Sequence, residues 1–143
     1  MSELTLENIE KLVKDENNFI LDPEQVGRIE KSYSFLKDFV KDKVIYGINT
    51  GFGPMAQYRI DDTMQKELQY NLVRSHANGS GEYLTAEQTR AVMVCRLNTL
   101  SLGYSGTHLS VIEALRNFIN HKIYPVIPKH GGVGASGDLV QLA

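Results

Sequence analysis

The sequence predicts a mainly α-helical domain, and three observations carry that prediction. Apolar residues recur at three- and four-residue steps through four segments, helix-start and helix-stop residues bracket those segments, and seven of the 12 glycines fall in two short windows, Gly47 to Gly53 and Gly131 to Gly137. The first helix opens at Asp22-Pro23, with Asp at the cap and Pro in the first turn. It continues through Val26, Ile29, Tyr33, Leu36 and Val40 to about Lys41. Val44 to Asn49 is short and rich in β-branched residues and runs into Thr50-Gly51-Phe52-Gly53-Pro54, which predicts a brief strand and then a loop. Asp62 is the expected cap of a second helix lined by Met64, Leu68 and Leu72 and ending near Asn78-Gly79. Thr85 and Gln88 form a capping box for a third helix, Ala86 to Leu102, closed by Gly103. A fourth runs from about Thr107 to His121 with Leu109, Ile112, Leu115 and Ile119 as its stripe, and Pro125 and Pro128 are expected to stop regular structure.

The third helix is apolar nearly all round, through Met93, Val94, Cys95, Leu97, Leu100 and Leu102. This implies burial on several sides, in a larger bundle or at a subunit interface, with Cys95 a core residue. The chain of 143 residues is read as one domain, 1–143, and as a piece of a longer chain because it stops just after its most unusual segment. Its net charge is −2 with no basic run, which argues against nucleic acid as a partner. Its apolar stretches are too short for a membrane span, and Met1 to Asp15 contains no apolar signal-peptide core. Cys95 is the single cysteine, so no intrachain disulfide forms, and the expected location is cytoplasmic. No metal site is predicted.

Chemistry concentrates in the glycine windows. In His130-Gly-Gly-Val-Gly-Ala-Ser-Gly-Asp138, Gly132, Gly134 and Gly137 formally match a dinucleotide fingerprint. The match is poor, because that motif follows a buried strand and opens a helix, whereas two prolines interrupt the segment ahead of it. An ordinary surface turn is the plainer reading. The tripeptide Ala135-Ser136-Gly137 offers a third. If the chain bends tightly, the Gly137 amide nitrogen can attack the Ala135 carbonyl and close a five-membered ring with loss of water. Loss of the Ser136 hydroxyl as a second water then leaves an exocyclic methylidene, an electrophile that no standard side chain provides. In the other window, Tyr46 reads plainly as a half-buried strand tyrosine, and His76 reads plainly as a histidine at a helix carboxyl end.

Four blocks then carry a resemblance: Tyr46-Gly-Ile-Asn-Thr-Gly-Phe-Gly53, Leu68-Gln-Tyr-Asn-Leu-Val-Arg-Ser-His76, Arg96-Leu-Asn-Thr-Leu-Ser-Leu-Gly-Tyr-Ser-Gly106 and Gly131-Gly-Val-Gly-Ala-Ser-Gly-Asp-Leu139. Together, and in this order from about residue 26 to the end, they resemble the aromatic amino acid ammonia-lyases, the histidine, phenylalanine and tyrosine ammonia-lyase family. The resemblance implies the amino-terminal part of a long helical bundle that assembles as a homotetramer with shared active sites. It also implies a methylidene-imidazolone formed autocatalytically from Ala135, Ser136 and Gly137, with no external cofactor. By the same resemblance Tyr46 is the base that removes the β-proton, Gly53 lies against the substrate, and Ser75 and His76 read the substrate's ring. An ordinary phenol has a pKa of about 10, so such a base needs a positive local field near neutral pH.

A polar Ser-His pair implies a ring with a hydrogen-bonding group, a phenol or an imidazole. The continuation Gly53-Pro54-Met55-Ala56-Gln57-Tyr58 is more similar to bacterial tyrosine lyases, so elimination of ammonia from L-tyrosine to give p-coumarate stands ahead of histidine to urocanate. A related aminomutase and a non-catalytic helical module remain as alternatives. The family's carboxylate-binding arginine and further active-site residues would lie beyond residue 143.

Overall fold

The computed structural model describes residues 5–14, 17–61, 63–131 and 140–143. Among them are five α-helices: α1 (Leu6–Val13), α2 (Pro23–Phe39), α3 (Gln65–His76), α4 (Ala86–Ser101) and α5 (Leu109–Asn120). Two short strands, β1 (Ser80–Tyr83) and β2 (Pro128–His130), and two single 3-10 turns complete the described elements. The mainly helical prediction therefore holds. Two compact units divide the chain: Met1–Lys37 with Leu84–Val126, and Asp38–Tyr83 with Ile127–Ala143.

The first unit is built on an apolar core. Leu12, Phe19, Ile29, Met93, Val94, Leu97, Leu100, Ile112 and Ile119 are buried in one cluster, with α4 packed against both α1 and α5. Local chemistry starts each helix. Thr5 caps α1 by accepting the Asn8 N–H, and Lys11 and Lys14 reach back one turn to Glu7 and Glu10. Asp22 and Gln25 cap α2 reciprocally, at 2.8 and 3.0 Å. The Thr85–Gln88 box forms as predicted, and Gly103 follows α4 with φ +77°. His108 caps α5 by accepting the Ser110 N–H, and its ring meets that of Tyr33 nearly at right angles, at 4.8 Å between centroids. At the far end of α5 the Ile123 N–H returns to Phe118 O at 2.8 Å, with Lys122 in the left-handed region at φ 60°.

Arg90 is fully buried in this core. Its guanidinium donates at 2.6 Å to Leu12 O and at 2.6 Å to Ile119 O, carbonyls in the last turns of α1 and α5, and at 3.0 Å to the Tyr124 hydroxyl. One cation thus donates to carbonyls at two helix carboxyl ends, where positive charge is favoured. Within this chain the predicted third helix, α4, is covered on one side only. Cys95 is exposed, because α4 turns Met93, Val94, Leu97 and Leu100 inward while Val92, Cys95 and Leu102 occupy the uncovered side. Helix α1, in the acidic amino-terminal stretch, was not anticipated from the sequence.

The second unit has little core of its own. Among its described residues the buried apolar side chains are Ile127 and Val140, and α3 buries none of its residues. Strands β1 and β2 pair antiparallel, Ser80 with His130 and Tyr83 with Pro128, and Lys129 meets Glu82 at 2.7 Å. Pro128 therefore begins a strand rather than ending regular structure, which an edge position permits. Gly79 is required by close approach: a Cβ there would lie 2.6 Å from Pro128 Cγ and 2.9 Å from Val140 Cγ1. Asp62, the predicted cap of α3, lies outside the described residues. Asp61 beside it accepts from the Thr63 hydroxyl at 2.6 Å and the Thr63 N–H at 2.9 Å, which hold its carboxyl below the ordinary carboxylate range. No helix among the described residues is long and apolar enough to cross a membrane.

Candidate functional site

The described parts of the candidate site lie in the second unit, beginning with the loop from Val44 to Ile60. The expected strand over Val44 to Asn49 does not form. Residues 46–48 turn instead, and the loop's one isolated bridge pairs Thr50 with Arg59. The cause is Asn49, whose side chain takes the groups that a strand would offer to a neighbour. Its Oδ1 accepts the Ile45 N–H and its Nδ2 donates to Lys43 O, both at 2.7 Å. Asn49 is 4% exposed and Thr50 1% exposed. The Thr50 hydroxyl accepts the Gly47 N–H at 3.3 Å and donates to Gly51 O at 2.8 Å. Two further backbone bonds, Gly51 N to Tyr58 O at 3.1 Å and Ile60 N to Asn49 O at 2.9 Å, close the loop on itself.

This polar interior turns Tyr46 outward. The side chain is 62% exposed, which overturns the reading of a half-buried strand tyrosine. Its ring stands edge-on to Phe52 at 6.0 Å, and the Gly53 N–H points at its hydroxyl at 3.5 Å, the long limit of a hydrogen bond. Gly47 and Gly53 have φ of +78° and +56°, so the chain on both sides of the Tyr46–Phe52 pair uses the left-handed region that favours glycine. Tyr46 and Gly53, both singled out from sequence, are thus brought together.

Ser75 and His76 end α3. The His76 Nδ1 lies 2.8 Å from Leu72 O and 3.1 Å from Ser75 Oγ, and the Ser75 hydroxyl itself donates to Leu72 O at 2.9 Å. A carbonyl oxygen can only accept, so in the neutral ring Nδ1 carries the proton and Nε2 holds the lone pair. One edge of the imidazole is spent on the helix end, as the plain reading of His76 has it. The other edge is left as an acceptor. No hydrogen bond among the described residues links this pair to Tyr46 and Gly53.

Ala135, Ser136 and Gly137 lie outside the described residues, as do Gly132 and Gly134. The positions on either side of them are defined. A Cβ at Gly131 would lie 3.2 Å from Val140 Cβ and 2.9 Å from Gln141 Nε2, so the chain returns to its own starting point within nine residues. No group of three or more His, Cys, Asp or Glu side chains suited to a metal occurs among the described residues. Sequence reasoning missed Asn49 and Thr50. Their signal was present in the pairing of an Asn and a Thr inside a glycine-bounded loop, residue types that bond their own backbone.

The family description "Aromatic amino acid lyase" matches residues 4–143. A histidine ammonia-lyase of Staphylococcus aureus is 40% identical over 141 residues, 98% of this chain and 28% of that protein. Among solved structures, tyrosine aminomutase from Streptomyces globisporus is 33% identical with a TM-score of 0.87, covering 97% of this chain and 26% of its own. An ergothionase from Treponema denticola is 28% identical with a TM-score of 0.89, over 99% and 28%. The chain spans little more than a quarter of each of these relatives.

Proposed function

Because the chain belongs to the aromatic amino acid lyase family, we propose that it supplies the electrophile, the base and the ring-reading pair of an enzyme that eliminates ammonia from an aromatic L-amino acid, with L-tyrosine giving p-coumarate as the favoured reaction. The observation that carries the substrate reading is the His76 ring. With Nδ1 committed to Leu72 O, Nε2 can accept a hydrogen bond from a phenol O–H at the far end of the substrate. Tyr46 takes the β-proton on its hydroxyl oxygen, which its exposure leaves accessible, and the backbone at Gly53 flanks the reacting group. Glycines 47 and 53 give this loop the freedom to close over substrate and exclude water.

Ala135, Ser136 and Gly137 form the methylidene-imidazolone in this proposal, which supplies an electrophile that takes up the substrate amine and makes it a better leaving group. Cyclisation requires a compressed backbone, and the approach of Gly131 to Val140 and Gln141 supports that requirement. The enzyme assembles as a cytoplasmic homotetramer with sites shared between subunits. Supporting this, α3 bears Ser75 and His76 yet buries none of its residues within this chain.

Histidine as substrate, giving urocanate, is favoured by the name of the Staphylococcus relative, and an imidazole N–H could also donate to Nε2. An aminomutase would return ammonia to the β-carbon, a reading favoured by the Streptomyces structure. The deciding experiment measures kcat/KM of the full-length enzyme for tyrosine, histidine and phenylalanine, with product analysis, before and after Ser75→Phe with His76→Leu. An unpaired buried polar group costs about 1–3 kcal/mol, so the preference for tyrosine over phenylalanine should fall by roughly tenfold to a hundredfold. Unchanged ratios would remove His76 from ring recognition.

A further inference from the structure

The Tyr46 side chain has few contacts of its own to fix its direction. Its hydroxyl meets one backbone N–H at the long limit of 3.5 Å, its ring meets Phe52 at 6.0 Å, and most of its surface is open. The peptides on either side of it are, by contrast, held tightly. Asn49 accepts the Ile45 N–H through Oδ1 at 2.7 Å, and its own N–H donates to Ile45 O at 3.2 Å. The same side chain donates through Nδ2 to Lys43 O at 2.7 Å, while Thr50 accepts the Gly47 N–H at 3.3 Å. A buried amide is thus spent on the backbone directly before the tyrosine, and a buried hydroxyl on the backbone directly after it. Both side chains are inaccessible to any substrate.

We propose that Asn49 is a positioning residue for Tyr46, setting the direction of its hydroxyl through the backbone at Lys43 and Ile45, with Thr50 completing the clamp at Gly47. This rests on the reading of Tyr46 as the proton acceptor. A base must sit within hydrogen-bond reach of the proton it removes, and a displacement of about 1 Å costs on the order of a hundredfold in rate. Where the side chain itself is loosely held, that tolerance has to be met by the main chain. An apolar residue of Asn49's size would fill the same space without fixing either peptide.

The test uses the full-length enzyme and two variants. Asn49→Leu keeps the branched shape and removes both side-chain bonds. Asn49→Asp keeps the acceptor for the Ile45 N–H and replaces the donor to Lys43 O with a carboxylate oxygen, and circular dichroism reports the fold of each variant. For each, intact mass reports the two waters lost in forming the electrophile, and turnover is compared for substrate with protium or deuterium at the β-carbon. Asn49→Leu should lower kcat by roughly tenfold to a hundredfold with KM within about twofold. Asn49→Asp should fall between it and the parent, and both variants should keep the full two-water loss while raising the β-deuterium isotope effect. In a Tyr46→Phe background either change should add nothing, because both act on the same group.

An unchanged isotope effect, or an equal further loss of kcat in the Tyr46→Phe background, would overturn the positioning role while leaving Tyr46 as the base. Normal turnover of Tyr46→Phe alone would overturn the base assignment, and this inference with it.

Discussion

The two units of the chain are stabilised in opposite ways. The first buries nine apolar side chains in one cluster and spends its buried polar groups on helix ends, as Arg90 does at Leu12 O and Ile119 O. The second, which carries Tyr46, Gly53, Ser75 and His76, buries two apolar side chains among its described residues. It is held by the Asn49 and Thr50 side chains, by short backbone bonds and by one pair of strands. Its large apolar side chains, among them Met55, Tyr58, Met64, Tyr70 and Val73, face outward. The part that resembles a scaffold is thus ordered by the hydrophobic effect, and the part that bears the proposed chemistry by directional bonds. Directional bonds fix orientation with little buried area, which suits a site whose remaining surface must meet something else.

Four experiments would break or sharpen this contrast. The largest effect is expected for Tyr46→Phe, which should cut turnover of the full-length enzyme by about a hundredfold to ten-thousandfold. Because the side chain is mostly exposed, its unfolding midpoint should hardly move. A parallel loss of stability would mean that the loop depends on that hydroxyl for its fold. Leu97→Ala should do the reverse, destabilising the first unit by about 2–5 kcal/mol in denaturant titration, since Leu97 is fully buried. A cost below about 1 kcal/mol would show that the cluster is not a packed core.

In the second unit, Gly79→Ala sets a methyl against Pro128 and Val140 at the base of the triad-bearing segment. The expected destabilisation is about 1–3 kcal/mol, together with incomplete loss of the two waters by intact mass. Full maturation and parental stability would show that the base can give way. The smallest effect is expected at Lys122, whose left-handed conformation ends α5. Lys122→Gly should raise the unfolding free energy by roughly 0.5–1 kcal/mol without touching turnover, as glycine adopts that conformation without a Cβ clash. A decrease would show that the lysine's own interactions outweigh the backbone gain.

Much of this was legible in the chain's local chemistry. The Thr85–Gln88 box, the Asp22-Pro23 start, the glycine after α4 and the stripe through Ile112 and Ile119 depend on residues within one or two turns of each other. Periodicity and capping rules therefore reach them. The same locality placed Ser75 and His76 at a helix end and put Tyr46 beside glycines. Where local rules misread the chain, a side chain outbid the expected partner. The β-branched run at Val44 to Asn49 turns because Asn49 bonds Ile45 and Lys43 before any neighbouring strand can.

What the sequence determined by itself was four of the five described helices, the starts of α2 and α4, and which residue types could carry chemistry, because each is decided by neighbours along the chain. Only the tertiary structure decided which face of α4 is covered and that Cys95 is left on the open one. It alone brought Arg90 to a carbonyl 78 residues away and paired Lys129 with Glu82 across 47. These outcomes depend on where distant segments come to rest, and no periodicity or spacing in a single chain encodes the direction in which a buried polar group finds its partner.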